Sequence, residues 1–560
     1  MSLNNLSPGV YVQERDLSTI APAVSTSTGA LVGYSKRGST NIQLITNRQQ
    51  FVEEYGIPDI QSSYFHFTAL AFLERGRRLY CKRVTGDNAR CGGVDIMKVG
   101  EGAHTPLATG AVINDNFPEF SGNSGAVFTV YAKDPGEWSR NLAVTITDIQ
   151  EMNSTFDTSE ELDPTEQYTF RLNVWYVDSD GNQNKLESWK VSRQRKVDGN
   201  GRQLYLEDRI NGFSRYIVVA DSTEDDTVLP EASDGDTFED AVAMGGASDG
   251  DAVTASNIAL GWLDFENKNN IEIEILMDGG HTPIIDGNPL DVATIQTEIC
   301  RIAEKRRDCI AVLSVPQAES SSVTNTIEYR NVVLNQNTNY AALYSPWCRI
   351  NDSYNDKLVF VPPTGYVAGV YAYTDTVANV WDAPAGYERG TLNVMGLSKT
   401  YKDEDLDMLY PQGINAIQTF RGYGHVIWGQ KTLQKKDSAL NRVNVRRPLL
   451  MIEKSLTLML RSFLFTYNNT EATRFMAKAV VDEYLERLAN GGAFQTEGGD
   501  DGFLVICDTR NNTPAVIDSQ TMKVDVFVKP AKTVEFINLT MTVTKTGVSF
   551  TELVSRGTIL

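Results

Sequence analysis

The chain has 560 residues, 41% of them hydrophobic, and a formal net charge of −21. That length supports about two to four domains. The acidity argues against a nucleic-acid surface, which needs basic patches, and no apolar run reaches the roughly 18 residues of a membrane-spanning helix.

Residues 1–27 read as an extended N-terminal arm. Met1-Ser2-Leu3-Asn4 has neither the basic nor the apolar region of a signal peptide, so synthesis in the cytoplasm is expected. Ser7-Pro8-Gly9 then leads into the strand-like Val10, Tyr11 and Val12, with nothing nearby in the sequence to pack on.

Residues 28–99 predict the first part of a layered α/β core. Gly29 to Tyr34 reads as a strand, Arg48 to Tyr55 and Ser62 to Arg75 as helices closed by Gly56 and Gly76, and Leu79 to Val84 as a second strand. From residue 100 to 244 helical periodicity disappears and β-runs take over. They are Val127 to Ala132, Leu142 to Thr147, Tyr168 to Val177, Lys185 to Val191 and Arg215 to Ala220, with Asp180-Gly181 as a hairpin signal. This stretch predicts a β-rich insertion. Eleven acids and no Lys or Arg fall between Asp221 and Asp251.

The core resumes over 245–440. Strands Ile271 to Met277, Cys309 to Val315 and Tyr340 to Tyr344 alternate with helices Asp291 to Arg307 and Ser322 to Asn337, which implies a parallel sheet. Pro362-Pro363, Gly365, Pro384 and Pro411 punctuate what read as long loops before a strand at Val426 to Gly429.

Residues 441–545 predict a C-terminal α+β assembly domain. After Pro448 comes an apolar comb, Leu449, Ile452, Leu456, Leu460 and Phe463, and after Asn468-Asn469-Thr470 a second one from Phe475 to Leu488 that stops at Gly491-Gly492. Met522, Val524, Val526 and Val528 alternate as one strand. Val534 and Phe536, changing phase to Ile537, Leu539, Met541 and Val543, read as its bulged partner. A two-stranded ribbon is marginal in water, so the strands Val10 to Val12 and the C-terminal arm, 546–560, are candidates for lending edges to neighbouring copies. Arg446 and Arg447 beside Pro448 would oppose a helix dipole, which calls for an acidic partner either in the same chain or in a neighbouring copy.

The series Ser7-Pro8-Gly9-Val10-Tyr11, Tyr344-Ser345-Pro346-Trp347, Val361-Pro362-Pro363-Thr364-Gly365, Trp381-Asp382-Ala383-Pro384-Ala385, Val426-Ile427-Trp428-Gly429 and Asn444-Val445-Arg446-Arg447 resembles the contractile tail sheath family of bacteriophages and related injection machines. The resemblance covers roughly residues 5 to 97 and 245 to 545. It implies a subtilisin-like core, an outward-facing insertion, and hexameric rings stacked helically around an inner tail tube. The implied partners are further copies, the tube, the baseplate and the tail terminator, with no direct nucleic acid and no membrane insertion. The implied location is the virion, reached through assembly in the host cytoplasm. The sheath of a non-phage contractile injection or secretion system is the nearest alternative.

A rival of another class is an α/β serine hydrolase. Among four histidines, His281 in Asp278-Gly279-Gly280-His281 is the best-placed candidate base, but no Gly-x-Ser-x-Gly elbow accompanies it. Asp178, Asp180 and Asn182 begin like a calcium loop, yet the sixth position is Gln183 and the twelfth is Trp189. The Asp234-Gly235-Asp236 and Asp249-Gly250-Asp251 pairs read as turns. Cys81, Cys91, Cys300, Cys309, Cys348 and Cys507 form no C-x-x-C pair and read as buried thiols. No catalytic residue, cofactor or metal site is therefore assigned.

Overall fold

A computed structural model describes residues 27–112, 120, 122–150, 168–178, 181–222, 225–496 and 500–539. Its backbone is a nine-stranded sheet built from β1 (Thr28–Tyr34), β2 (Gln43–Ile45), β3 (Arg78–Val84), β4 (Ile275–Met277), β5 (Ile310–Ser314), β6 (Ala341–Ser345), β7 (Thr391–Leu392), β8 (Ile414–Phe420) and β9 (Gly424–Trp428). The order across the sheet is β7-β9-β8-β6-β5-β4-β1-β3-β2. The six strands from β8 to β3 run parallel, and the edges are antiparallel.

Both faces of this sheet are covered, which is why its strands read as unbroken apolar runs. One face carries Leu31, Ile275, Met277, Val312 and Tyr344 against α1 (Arg48–Tyr55) and α2 (Phe65–Leu73). The other carries Val32, Leu276, Leu313 and Leu343 against α3 (Ala255–Trp262) and α4 (Pro289–Arg306). The predicted helix from Ser322 is instead a short α-helix, Val323–Glu328, running into a π-helix, Tyr329–Leu334.

One region read as loop is a helix. Thr364–Val377 forms α5, packed on α2 within the first core. The prolines before it mark its start, and Gly365 lets the two backbones meet, since a Cβ there would lie 2.3 Å from the Thr68 carbonyl oxygen. A short acidic helix, α6 (Asp403–Leu409), follows.

The β-rich region forms two four-stranded sheets around its own apolar core. Its strands include Ala126–Ala132, Leu142–Gln150, Thr169–Val177, Gln183–Ser192 and Ile217–Asp221, and Gly93–Met97 pairs with the first of them. The boundary expected at 99/100 therefore falls one strand late. Arg83, fully buried, joins this region to the core by donating to the carbonyls of Ser35, Lys36, Gly38 and Pro135 at 2.6 to 3.0 Å.

Candidate assembly surface

The C-terminal unit hangs from α7 (Val443–Arg461), which begins five residues before Pro448 rather than after it. Pro448 lies in the second turn, so it costs the one intrahelical bond its amide would have made to the Asn444 carbonyl, and the rest of the helix continues past it. The first half of α7 lies in the main core through Val443 and Leu450. Its second half, through Ile452 and Met459, builds a separate core with α8 (Glu471–Asn490). Thr470 caps α8 as expected, whereas Phe475, expected on its buried face, is exposed.

Arg446 and Arg447 are buried at the start of α7, and both find partners in their own chain. Arg447 lies 2.6 Å from Asp375 on α5, and its guanidinium stacks 4.8 Å from the Tyr371 ring centroid. Arg446 lies 4.1 Å from the ring centroid of Tyr340 and 3.6 Å from Glu453. Carboxylates and ring faces thus offset the unfavourable dipole. Each arginine therefore has an acid in its own chain, while Nε and Nη2 of Arg446 meet no acceptor among the described residues.

Both ends of the described chain meet on α7. Lys454 reaches Glu274 at 2.6 Å, and Glu274 accepts the amide of Thr28 where β1 begins. Near the other end, Glu535 accepts from Arg442 at 2.7 Å and from Gln430 at 3.0 Å, while Asn444 donates to Thr533.

The ribbon exists with a different partner. β10 (Phe503–Ile506) pairs antiparallel with β11 (Asp525–Val528), in register Leu504 to Phe527. Val524, Val526 and Val528 face inward onto the α7–α8 core, while Leu504 and Phe527 form an exposed pair on the outer face. The run 534–539 does not fold back onto β11. After Lys529 pairs with Gln495, Asn444 and Arg442 hold Thr533 and Glu535 against the core. Val534, Phe536, Ile537 and Leu539 consequently stand exposed, Ile537 by 84%. The apolar run Phe503-Leu504-Val505-Ile506 was the overlooked signal for the true partner. Val10, Tyr11, Val12, Met541 and Val543 lie outside the described residues.

His281 is packed away from solvent. Its ring nitrogens lie 3.1 Å from the Asp278 carbonyl oxygen and 3.4 Å from Asp286, and its ring meets Tyr64 edge-on. The nearby Ser63 hydroxyl donates to the carbonyls of Gly280 and His281 rather than to the ring, so the arrangement offers no serine nucleophile to this imidazole. Asp278 accepts from Ser314 and Gln296. The acidic turns are tied up within the chain: Asp236 binds Lys185, Asp249 accepts the Glu137 amide, and Asp251 accepts from Asn88. All six cysteines are buried thiols.

These features define a mixed α/β protein of several cores whose C-terminal unit leaves strand edges and apolar side chains exposed. Residues 284–433 match the phage tail sheath protein central domain. The chain is 31% identical over 325 residues to the tail sheath protein of Enterobacteria phage T4, covering 55% of this chain and 48% of that protein. It is 34% identical over 271 residues to the tail sheath protein of Vibrio phage KVP40, covering 45% and 39%. The chain thus spans about half the length, or less, of these curated relatives. In fold it is similar to a sheath tail protein from Listeria innocua, with a TM-score of 0.54 at 11% identity over 91% of this chain and 96% of that one. It is also similar to the sheath complex of an extracellular contractile injection system in the contracted state, with a TM-score of 0.52 at 15% identity over 97% and 98%. Sequence and fold thus agree in making the chain similar to tail sheath proteins, with the family match confined to residues 284–433.

Proposed function

We propose that this chain is the structural subunit of a contractile sheath around the tail tube of a phage. It polymerises into helically stacked hexameric rings and contracts by repacking, driving the tube through the host envelope. The observation that carries the reading is the two-stranded sheet β10–β11. Its second strand leads through Lys529 into the exposed run 534–539, in a chain similar to tail sheath proteins. Such a sheet is too small to be stable alone, and strands lent by the terminal arms of adjacent copies complete it by edge addition. Each backbone hydrogen bond in the joint contributes about 1 kcal/mol, so several per arm resist detachment while the bodies shift.

Contraction is then a change of population between an extended lattice and a lower-energy compact one, driven by contacts rather than by chemistry. The same reading includes a subtilisin-like core, an insertion that faces outward, and contacts with the inner tube, baseplate and tail terminator in the virion. The phage origin of the curated relatives favours this over a non-phage injection system. Electron microscopy of the purified chain tests it. Full-length protein should form tubes, and a variant lacking residues 1–14 should fold as a soluble monomer that does not. Monomers from the full chain would overturn the sheath reading, and normal tubes from the truncation would overturn strand lending.

A further inference from the structure

The turn between α7 and α8 presents an apolar knob. Leu464, Phe465 and Tyr467, with Phe475 on the first turns of α8, are 62%, 107%, 52% and 71% exposed, and Arg461 stands exposed beside them. Phe465 adopts φ +60°, a left-handed conformation that is rare for a bulky residue. Among the described residues nothing covers the ring. Exposed clusters of large apolar side chains mark interaction sites.

At the other end of α7 lies a cleft of about 540 Å³, walled by Ala385, Leu406, Tyr410 and Trp428 and by Val534 and Phe536 of the chain's own exposed run, with Lys431 over one side of the Tyr410 ring. Trp428 continues it into a partly exposed aromatic group, with Tyr387 centred 5.2 Å from Trp428 and 4.2 Å from Tyr423. Its rim carries more acid than base, with Asp403, Asp407 and the neighbouring Glu404 of α6 set against Lys431.

The 19 residues of α7 separate knob from cleft by about 28 Å of rigid helix, so this turn cannot reach the cleft of its own chain. We propose that the α7–α8 turn of one copy docks into this cleft of a second copy, with Phe465 entering between Tyr410 and Trp428 and Arg461 facing Asp403 and Asp407. This inference rests on the reading of the chain as a homopolymer. Apolar fit, aromatic content and opposite charge select the same pair of surfaces. Because the two surfaces differ, the contact is head-to-tail and propagates instead of closing as a dimer.

Two full-length variants, Phe465→Cys and Ala385→Cys, test the contact. Mixed and oxidised, they should give an intermolecular disulfide that neither gives alone, since the native thiols are buried. Phe465→Ser, at an exposed position that leaves folding intact, should weaken self-association at least about tenfold, as the loss of one interface anchor does. Arg461→Glu should weaken it too and be rescued by Asp403→Lys with Asp407→Lys. Tubes that form equally well with Phe465→Ser, together with no mixed disulfide, would overturn this contact and leave the sheath reading standing. A mixed disulfide without tubes would support the contact and remove the sheath reading, and monomers with neither would overturn both. Cross-linking of Phe465→Cys to itself would mean a symmetric contact and would also overturn the proposal.

Discussion

Arg447 and Asp375 meet at 2.6 Å with each side chain only 4% exposed, and this pair seats the first turns of α7 against α5. Removing one partner of a buried ion pair strands the other charge at a cost of about 3–5 kcal/mol, whereas replacing both by apolar groups of similar size is often neutral. Arg447→Ala should therefore lower the urea midpoint strongly, and Arg447→Met with Asp375→Leu should recover most of the loss. Equal midpoints for Arg447→Ala and the unsubstituted protein would show that α7 is seated by apolar contacts alone.

Glu535 is the main tether of the exposed run 534–539, through Arg442 and Gln430. Both charged partners are partly accessible, so Glu535→Ala should cost only about 1 kcal/mol of global stability. Its effect should be local. Amide exchange across residues 531–539 should accelerate while the α4 and β5 amides stay protected, and tubes, if strand lending operates, should shorten. Unchanged exchange in 531–539 would mean that Thr533 and the backbone hold this segment without the carboxylate.

Much of the core was legible because its signals are local. The strands at Gly29 and Leu79 and the helix Arg48–Tyr55 lie where the pattern places them, the second helix is shorter than expected at Phe65–Leu73, the edge strand Gln43–Ile45 gave too short a signal, and Thr470 and Gly491 bound α8. The errors came where one residue type serves two purposes. Pro362-Pro363 and Gly365 looked like loop punctuation, yet they start α5 and let it press on α2. Pro448 looked like a helix start and sits inside one. The strand partner of Val526 was misjudged because 534–539 alternates as convincingly as Phe503–Ile506. Only the tether of Glu535 to Arg442, a contact across 93 residues, decides between them.

Four of the five N–H groups of Arg83 are taken by backbone carbonyls, one of them on Pro135 of the β-rich region. A lysine offers one donor head in place of this planar fork, so Arg83→Lys leaves buried carbonyls unpaired at roughly 1–3 kcal/mol each. The expected outcome is a lower melting temperature with the β-rich region released first, read as early proteolysis near Lys133 to Glu137. A single unchanged cooperative transition would show that the β-rich region does not depend on this joint.

Two buried groups should give the stability curve opposing pH dependences. His66, bonded through Nε2 to the Tyr55 carbonyl and the Ser35 hydroxyl, is pushed down to about 4 by burial. The unfolded chain accepts its proton at about 6.5, so stability is intact above that pH and is lost as pH falls towards 4. Asp278 is pushed up to about 6, again by burial, so the folded state takes up a proton that the unfolded carboxyl refuses until about 3.9. Its contribution grows as pH falls through that window and is absent near neutrality. Each slope integrates to on the order of 3 kcal/mol. Unfolding free energies measured from pH 7 to 4 should therefore fall less steeply in His66→Gln than in the unsubstituted protein, and more steeply in Asp278→Asn. The comparison concerns slopes, because either substitution also shifts the whole curve. Parallel curves for all three proteins would mean that neither group changes its protonation on unfolding in this range.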